Sequence, residues 1–445
     1  MDSHLSQSDT LSLLKAGKLQ GSKQLKLSCG LTEFPQEIFD LAESLEILDL
    51  TGNALSTLPR DLSRLKNLRI LFCSSNQFTH IPEVLGECQN LNMIGFKANK
   101  IKHIPEAAIP TQHLRWFIVT DNALSRVPNA LGHCAKLQKL MLAGNQLSEL
   151  PDSMANCHNL ELLRISANQF KSLPDWLFTL PKLSWLAYAG NPFCDQIEQD
   201  LLSKHQIRSI DWQELELLNE LGQGASGVTY QALWHHSNQS SEIVAVKLFK
   251  GTLTSDGLPG CEVNANILAE EQANLVGIKG VICNHPQGTL GLVMPLLKTD
   301  LNVLANPPSF ESCTRDIYSD GVKHSQLDIL NIALGVASAV LHLHAQSMTH
   351  GDLYAHNILW NHQNVVLSDL GGASFLPLDN QELTRKLQRL ESHAFGILLE
   401  ELLNHGEMES NISVALWQLQ KKCTSTELHL RPLFNEIVQK LSALK

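Results

Sequence analysis

The stretch THGDLYAHNIL, Thr349 to Leu359, places Asp352 five residues before Asn357. Twelve residues beyond Asn357 comes Asp369, in LSDLGG. An Asp to orient an attacking hydroxyl, with an Asn and a second Asp to hold magnesium, is the minimum set for moving a phosphoryl group from ATP. Upstream, VAVK ends on Lys247, a cation suited to the α- and β-phosphates. Before it, LGQGASGVT (Leu221–Thr229) carries Gly222, Gly224 and Gly227 as G-x-G-x-x-G. Dinucleotide folds use that pattern too, ahead of a helix. Here it lies between two segments of strand character, which favours a loop folded over nucleotide phosphates.

Several residues must support that set. Lys247 needs a carboxylate to hold it, and Glu262 in GCEVNANIL is the best placed if Val263–Glu271 is helical; Glu270 and Glu271 are alternatives. GLVMPLL (Gly291–Leu297) reads as a buried strand running into a linker. Met294 would stand behind the adenine, Pro295 would offer its carbonyl, and Leu297 its N–H. Leu221, Gln223, Thr229 and Ala245 complete the expected nucleotide contacts, with Asn357 and Asp369 as the metal ligands.

All these elements occur in order, and the chain's end agrees with them. Phe395–Glu400 looks like a central helix, and CTSTELHLRPLFNEIVQKL (Cys423–Leu441) like closing helices with Arg-Pro-x-Phe at Arg431–Phe434. Residues 214–445 thus resemble the eukaryotic-type protein kinase fold, which implies ATP, Mg2+ and a protein substrate. Three departures stand out. Tyr354 occupies the slot where Ser/Thr kinases usually keep a Lys that neutralises the transferred phosphate. His356 lies where many tyrosine kinases carry Arg. Gly351 replaces the Arg that commonly receives an activation-segment phosphate. That segment is also short: between Gly371 and Glu391, aligned with the Asp that opens the central helix, only Ser374 and Thr384 bear hydroxyls. Arg385, Lys386 and Arg389 could substitute as cations, although charges at helical spacing are more often solvated. HGDLxxxN also resembles the loop of aminoglycoside- and choline-kinase-type phosphotransferases, and a pseudokinase scaffold is the non-enzymatic alternative.

The first half is periodic. Leu45, Leu68, Leu91, Leu114, Leu137, Leu160 and Leu183 are 23 residues apart, and Asn53 to Asn191 and Pro59 to Pro174 keep the same step. Residues 22–193 resemble the leucine-rich repeat, as in LEILDLTGNALSTLP. The leucines would fill a shared core and the Asn would satisfy backbone groups at each turn. The first repeat is degenerate, with Ser22, Gly30 and Pro35 off pattern; with the helix-like Leu11–Lys18 it should cap the array. Outward strand positions form two columns, Ile47, Ile70, Met93, Trp116, Lys139, Leu162, Trp185 and Asp49, Phe72, Gly95, Ile118, Met141, Arg164, Ala187. Their apolar character suggests a protein-binding face that includes Trp116, Trp185, Ile118 and Phe72; the alternative is that the second half, or a second copy, covers it.

The expected fold class is therefore multidomain: an α/β leucine-rich-repeat solenoid followed by a compact two-lobed α+β kinase-like domain. The expected bounds are a cap over 1–21, repeats over 22–193, a polar connector over 194–213 and the kinase-like domain over 214–445. In combination these resemble soluble leucine-rich-repeat protein kinases of bacterial type. A net charge of −11 argues against a nucleic-acid footprint or a polybasic membrane anchor. The N-terminus lacks signal-peptide features, and the most apolar window, Ile329–Ala345, is interrupted and short for a bilayer. Ten cysteines without CxxC or zinc spacing read as buried thiols of a reducing, cytoplasmic protein.

Overall fold

A computed structural model describes residues 7–206, 208–224, 226–237, 240–407 and 410–445. By packing, the chain divides into two compact units, residues 1–163 with 168–180, and residues 164–167 with 181–445.

The first unit opens with helix α1 (Gln7–Lys15). Short strands follow: β1 (Gln24–Lys26), β2 (Ile47–Asp49), β3 (Ile70–Phe72), β4 (Met93–Gly95), β5 (Trp116–Ile118), β6 (Lys139–Met141) and β7 (Leu162–Arg164). Neighbours pair in parallel with a constant offset, Ile47 opposite Ile70 and Ile70 opposite Met93. The repeating Leu45, Leu68, Leu91, Leu114, Leu137 and Leu160 are all fully buried. Each repeating Asn acts as a bracket. Asn76 Nδ2 donates to the carbonyls of Leu50 and Cys73, while its Oδ1 accepts from Leu55 N at 2.9 Å. Asn145 repeats this with Val119, Leu142 and Leu124. A buried amide with both ends satisfied is what makes this position intolerant of other residues. The prolines start the convex turns: Pro82, Pro128 and Pro151, each extended with φ near its ring-fixed value, precede single turns of 3-10 helix. Cys88, Cys134 and Cys157 are buried and unpaired, with burial pushing their thiols up to about 12, 12 and 11. They pack as small apolar side chains.

The outward columns are less open than their sequence suggests. Ile70, Met93, Lys139 and Leu162 are buried, whereas Trp116, Ile118 and Phe72 are half-buried. The Lys139 ammonium sits over the Trp116 ring, 4.6 Å from its centre.

The second unit contains strand β8 (Trp185–Ala187), helix α2 (Pro192–Leu202) and a six-stranded sheet. The sheet strands are β9 (Ser209–Asp211), β10 (Leu215–Gln223), β11 (Gly227–His235), β12 (Ser241–Phe249), β13 (Gly280–Cys283) and β14 (Gly291–Pro295), ordered β10-β11-β12-β14-β13-β9. The residues read as a polar connector thus end in a sheet strand, with β9 parallel to β13. Helix α3 (Pro259–Leu268) crosses this sheet. Alternation along β12 sorts its side chains: Val244 and Val246 enter a core with Ile210, Trp234 and Val293, so Ala245 and Lys247 point the other way. Val263 and Ile267 of α3 pack on Phe249 and Leu292, which fixes the helix against the sheet.

The larger lobe is helical, with α4 (Gln326–Ala345), α5 (Gln381–Asn404), α6 (Ser410–Cys423) and α7 (Phe434–Ser442). Helix α4 is longer than the apolar window read from the sequence, and by length and composition it could cross a bilayer. Most of it is buried, including Ile329, Val336 and Leu343, as expected of a core helix apolar all round. Helix α5 begins ahead of Glu391, not at it. Asn380 caps it, Oδ1 accepting from Leu383 N at 3.0 Å, and Arg385, Lys386 and Arg389 fall inside the helix.

Candidate active site

Lys247, near the end of β12, forms an ion pair with Glu262 of α3. Its ammonium lies 3.8 Å from Asp369 Oδ1. Burial would lower the Lys247 pKa, but the charges of Asp369 and Glu262 more than compensate, so the ammonium stays charged. Burial pushes the Glu262 carboxyl up, to about 7, against the pull of Lys247. Glu270 and Glu271, the alternative partners, lie beyond the end of α3 and do not reach Lys247. Asp369 is in the left-handed region, φ 61, and its own carboxylate accepts from Gly371 N at 3.1 Å. That bend aims the side chain back towards Lys247.

These groups line a cleft of about 690 Å³ between sheet and helical lobe. Of the expected nucleotide contacts, Leu221, Gly222, Gly224, Gly227, Thr229, Ala245, Lys247, Glu262, Met294, Pro295 and Leu297 all line it. Gln223 does not; at the exposed end of β10 its side chain falls outside the cleft, a correction to the expectation. The apolar walls also include Val276, Leu359 and Leu367, and the polar floor includes Asp256. None of these four carries a motif that would have revealed it.

The catalytic loop is tied down through its backbone. Gly351 N donates to Glu391 Oε1 at 2.8 Å, and Glu391 Oε2 lies 2.8 Å from His344 Nε2. Glu391 therefore does anchor the loop, from the middle of α5. Gly351 has φ 72, and a Cβ there would lie 2.1 Å from Gly372 O. No other residue fits. Asn357 Nδ2 donates to Asp352 O at 2.9 Å and to Asp352 Oδ2 at 3.1 Å. His350 Nε2 donates to Ser368 O at 3.0 Å, joining the loop to the strand before Asp369.

Asp352 has a second partner of different origin. Arg164 ends β7 and packs within the second unit. Its guanidinium pairs with Asp352 through Nη2, with Gly351 O through Nη1 at 3.1 Å, and with Asp256 through Nε at 2.6 Å. Burial alone would raise the Asp352 pKa; Arg164, followed by His356 and His350, holds it below the ordinary carboxylate range. Beside it, Trp185 is 1% exposed, stacks on Tyr354 with ring centres 4.2 Å apart, and donates Nε1 to Leu353 O at 2.9 Å. Trp185 is thus a packing residue of the catalytic loop, not an exposed contact for a partner, because the large ring fills the space over Tyr354. His356, the other candidate donor, is engaged by Asp316, Nδ1 to Oδ1 2.8 Å. Ser374 is fully buried and its Oγ accepts from Tyr188 N, while Thr384 Oγ1 donates to Pro377 O at 2.7 Å.

A carboxylate and an amide oxygen, Asp369 and Asn357, are hard donors of the kind magnesium takes. With Lys247 and the glycine loop on one cleft, the residues present fit a magnesium nucleotide. The fold and site together resemble those of phosphotransferases, and the comparisons narrow the likeness. Residues 215–393 match the family of protein tyrosine and serine/threonine kinases, and residues 23–78 and 135–193 match the leucine rich repeat. The chain therefore carries leucine-rich repeats followed by a protein kinase domain.

Among its relatives is the tyrosine-protein kinase transmembrane receptor Ror of Drosophila melanogaster, 25% identical over 289 residues, 55% of this chain and 40% of that protein. Human cyclin-dependent kinase 10 is 26% identical over 208 residues, 46% of this chain and 52% of that protein. Mouse cyclin-dependent kinase 11B is 27% identical over 232 residues, 51% and 26% respectively. The first relatives named are thus matched over about half of their length or less.

Proposed function

We propose that this chain is an active, ATP- and magnesium-dependent protein kinase of the soluble, bacterial leucine-rich-repeat type, acting in cytoplasmic signalling. Serine or threonine is the acceptor favoured by frequency alone. The observation that carries the reading is the Lys247–Glu262 pair set 3.8 Å from Asp369, with Asp352 and Asn357 bonded to each other nearby. Lys247 would bind the α- and β-phosphates under the glycine loop, and Asn357 and Asp369 would hold magnesium, which would supply positive charge to the phosphates. Asp352 orients the acceptor hydroxyl and takes its proton as the new P–O bond forms and ADP departs. The half-buried Trp116, Ile118 and Phe72 are the part of the repeat face that could hold a protein partner.

Only residues 372–380 join Gly371 to α5, a short span that favours a small alcohol as the second reading of the acceptor. One experiment decides. The purified chain is incubated with radiolabelled Mg-ATP, casein and a panel of aminoglycosides and choline, and the labelled amino acids are identified. Phosphoserine or phosphothreonine that disappears in Asp352→Asn supports the proposal. Label only in the small alcohols overturns it, and no transfer at all favours a scaffold.

A further inference from the structure

The catalytic loop has a charge deficit. Asp256, Asp352, Asp369 and Glu262 converge on one region, where Asp256 and Asp369 act electrostatically on Glu262 and Asp352 acts on Asp256. Anionic phosphates must be received there as well. Lys247 is one cation, and it already faces two of the carboxylates. Within the loop, Tyr354 carries no charge and is stacked on Trp185, and His356 is bonded to Asp316. The loop's own histidines, His356 and His350, act on Asp352 less strongly than Arg164 does.

We propose that Arg164 is a positioning residue of the phosphotransfer site, supplying from the end of a repeat strand the cation that fixes Asp352. Its planar fork suits the task, since three nitrogens reach three acceptors on two chain segments, Gly351 and Asp352 on one and Asp256 on the other. Fully buried, the side chain has no freedom to leave them. By bonding both the Asp352 carboxylate and the carbonyl before it, Arg164 fixes the orientation of the group that must meet the acceptor hydroxyl. Asp256, which Arg164 also holds, lines the nucleotide cleft, so the same guanidinium offsets a carboxylate facing the phosphates.

The same contacts could belong to a latch that keeps Asp352 out of use. Two features argue for positioning. The Lys247–Glu262 pair is formed with Asp369 beside it, which is the working arrangement of this chemistry. No residue from 164 to 189 lines the cleft, so the nucleotide's path is clear.

The inference rests on the kinase reading, and its test separates the two. Full-length wild type, Arg164→Gln and Arg164→Lys are compared for kcat and KM with Mg-ATP and casein, and for Mg-AMP-PNP binding by calorimetry. Arg164→Gln is expected to lose kcat by about 100-fold, the scale of a misplaced catalytic group. KM for ATP and AMP-PNP affinity should weaken by about threefold at most, because among its bonded partners Arg164 meets the nucleotide cleft at Asp256 alone. Arg164→Lys keeps the charge and loses the fork, and should recover about tenfold of that loss. If Arg164→Gln does not bind AMP-PNP, the Lys variant carries the test, and wild-type kcat in it overturns the inference. Unchanged or raised kcat in Arg164→Gln overturns it alone and leaves the kinase standing. A wild type that labels nothing, with Arg164→Gln equally silent, overturns both.

Discussion

Asp352→Asn is expected to abolish phosphotransfer and leave Mg-ATP binding nearly intact, because Asp352 is the group that orients the acceptor and does not hold the nucleotide. Asp369→Asn should lose magnesium-dependent binding as well, seen as a calorimetric signal that no longer responds to Mg2+. A third residue, His393, is expected to contribute to stability against acid. It is buried in α5, with Nδ1 2.8 Å from Ser184 Oγ, and burial, then Arg431, Arg315 and Lys182, lower its pKa from 6.5 to about 3. The folded chain thus binds that proton less readily than the unfolded chain. The stabilising contribution is complete above pH 6.5 and is lost as pH falls towards 3, about 2 kcal/mol of it by pH 5. His393→Gln should flatten the loss of urea midpoint between pH 7.5 and 5; a slope equal to wild type would show that His393 is not the group responsible.

At the scale of elements, Trp116 and Trp185 occupy the same column of the repeat and have different environments. Trp185→Ala removes a fully buried ring from Tyr354 and should cost about 3–5 kcal/mol in thermal or urea unfolding. Trp116→Ala, half-buried, should cost much less and, where a protein partner binds, weaken its capture. The sequence made the column readable, since a 23-residue step assigns each residue to a face. What each outward residue meets cannot follow from the step, because that depends on residues far along the chain. Arg164 shows this best: its partners Asp256 and Asp352 lie 92 and 188 residues away. Lys247, Glu262, Asp352, Asn357 and Asp369 were legible because their chemistry demands particular side chains in a fixed order. Val276, Leu359 and Leu367 were not, since an apolar wall accepts many residues. The segment after Asp369 also has a consequence for control. Ser374 is sealed in the core and Thr384 is bonded inside α5's first turns, so the double variant Ser374→Ala, Thr384→Ala should keep its activity after phosphatase treatment. Collapse of that activity would restore a phosphorylation switch.

At the scale of the whole molecule, the boundary of the catalytic unit does not fall where the kinase match begins. The match starts at residue 215, yet the compact unit takes in 164–167 and everything from 181. A piece limited to residues 214–445 would expose Tyr354, leave Ser374 without Tyr188, and strip Asp352 of Arg164. It is expected to express as an aggregation-prone protein without a cooperative melt, while the full chain melts cooperatively. A soluble, cooperatively folding piece with full activity would refute that expectation.

The position of Arg164 also bears on how this chain can change over generations. Repeat arrays ordinarily gain and lose whole units by unequal exchange, since each unit contacts only its neighbours. Here the freedom is polar. Duplicating or deleting 23 residues around β3 leaves β7 and β8 in register with the chain that follows them. Removing the same length between Arg164 and Trp185 would discard the fork or the ring and leave Asp352 and Tyr354 without their partners. Descendants of this gene should therefore vary in array length at the amino-terminal side and hold the last two units constant.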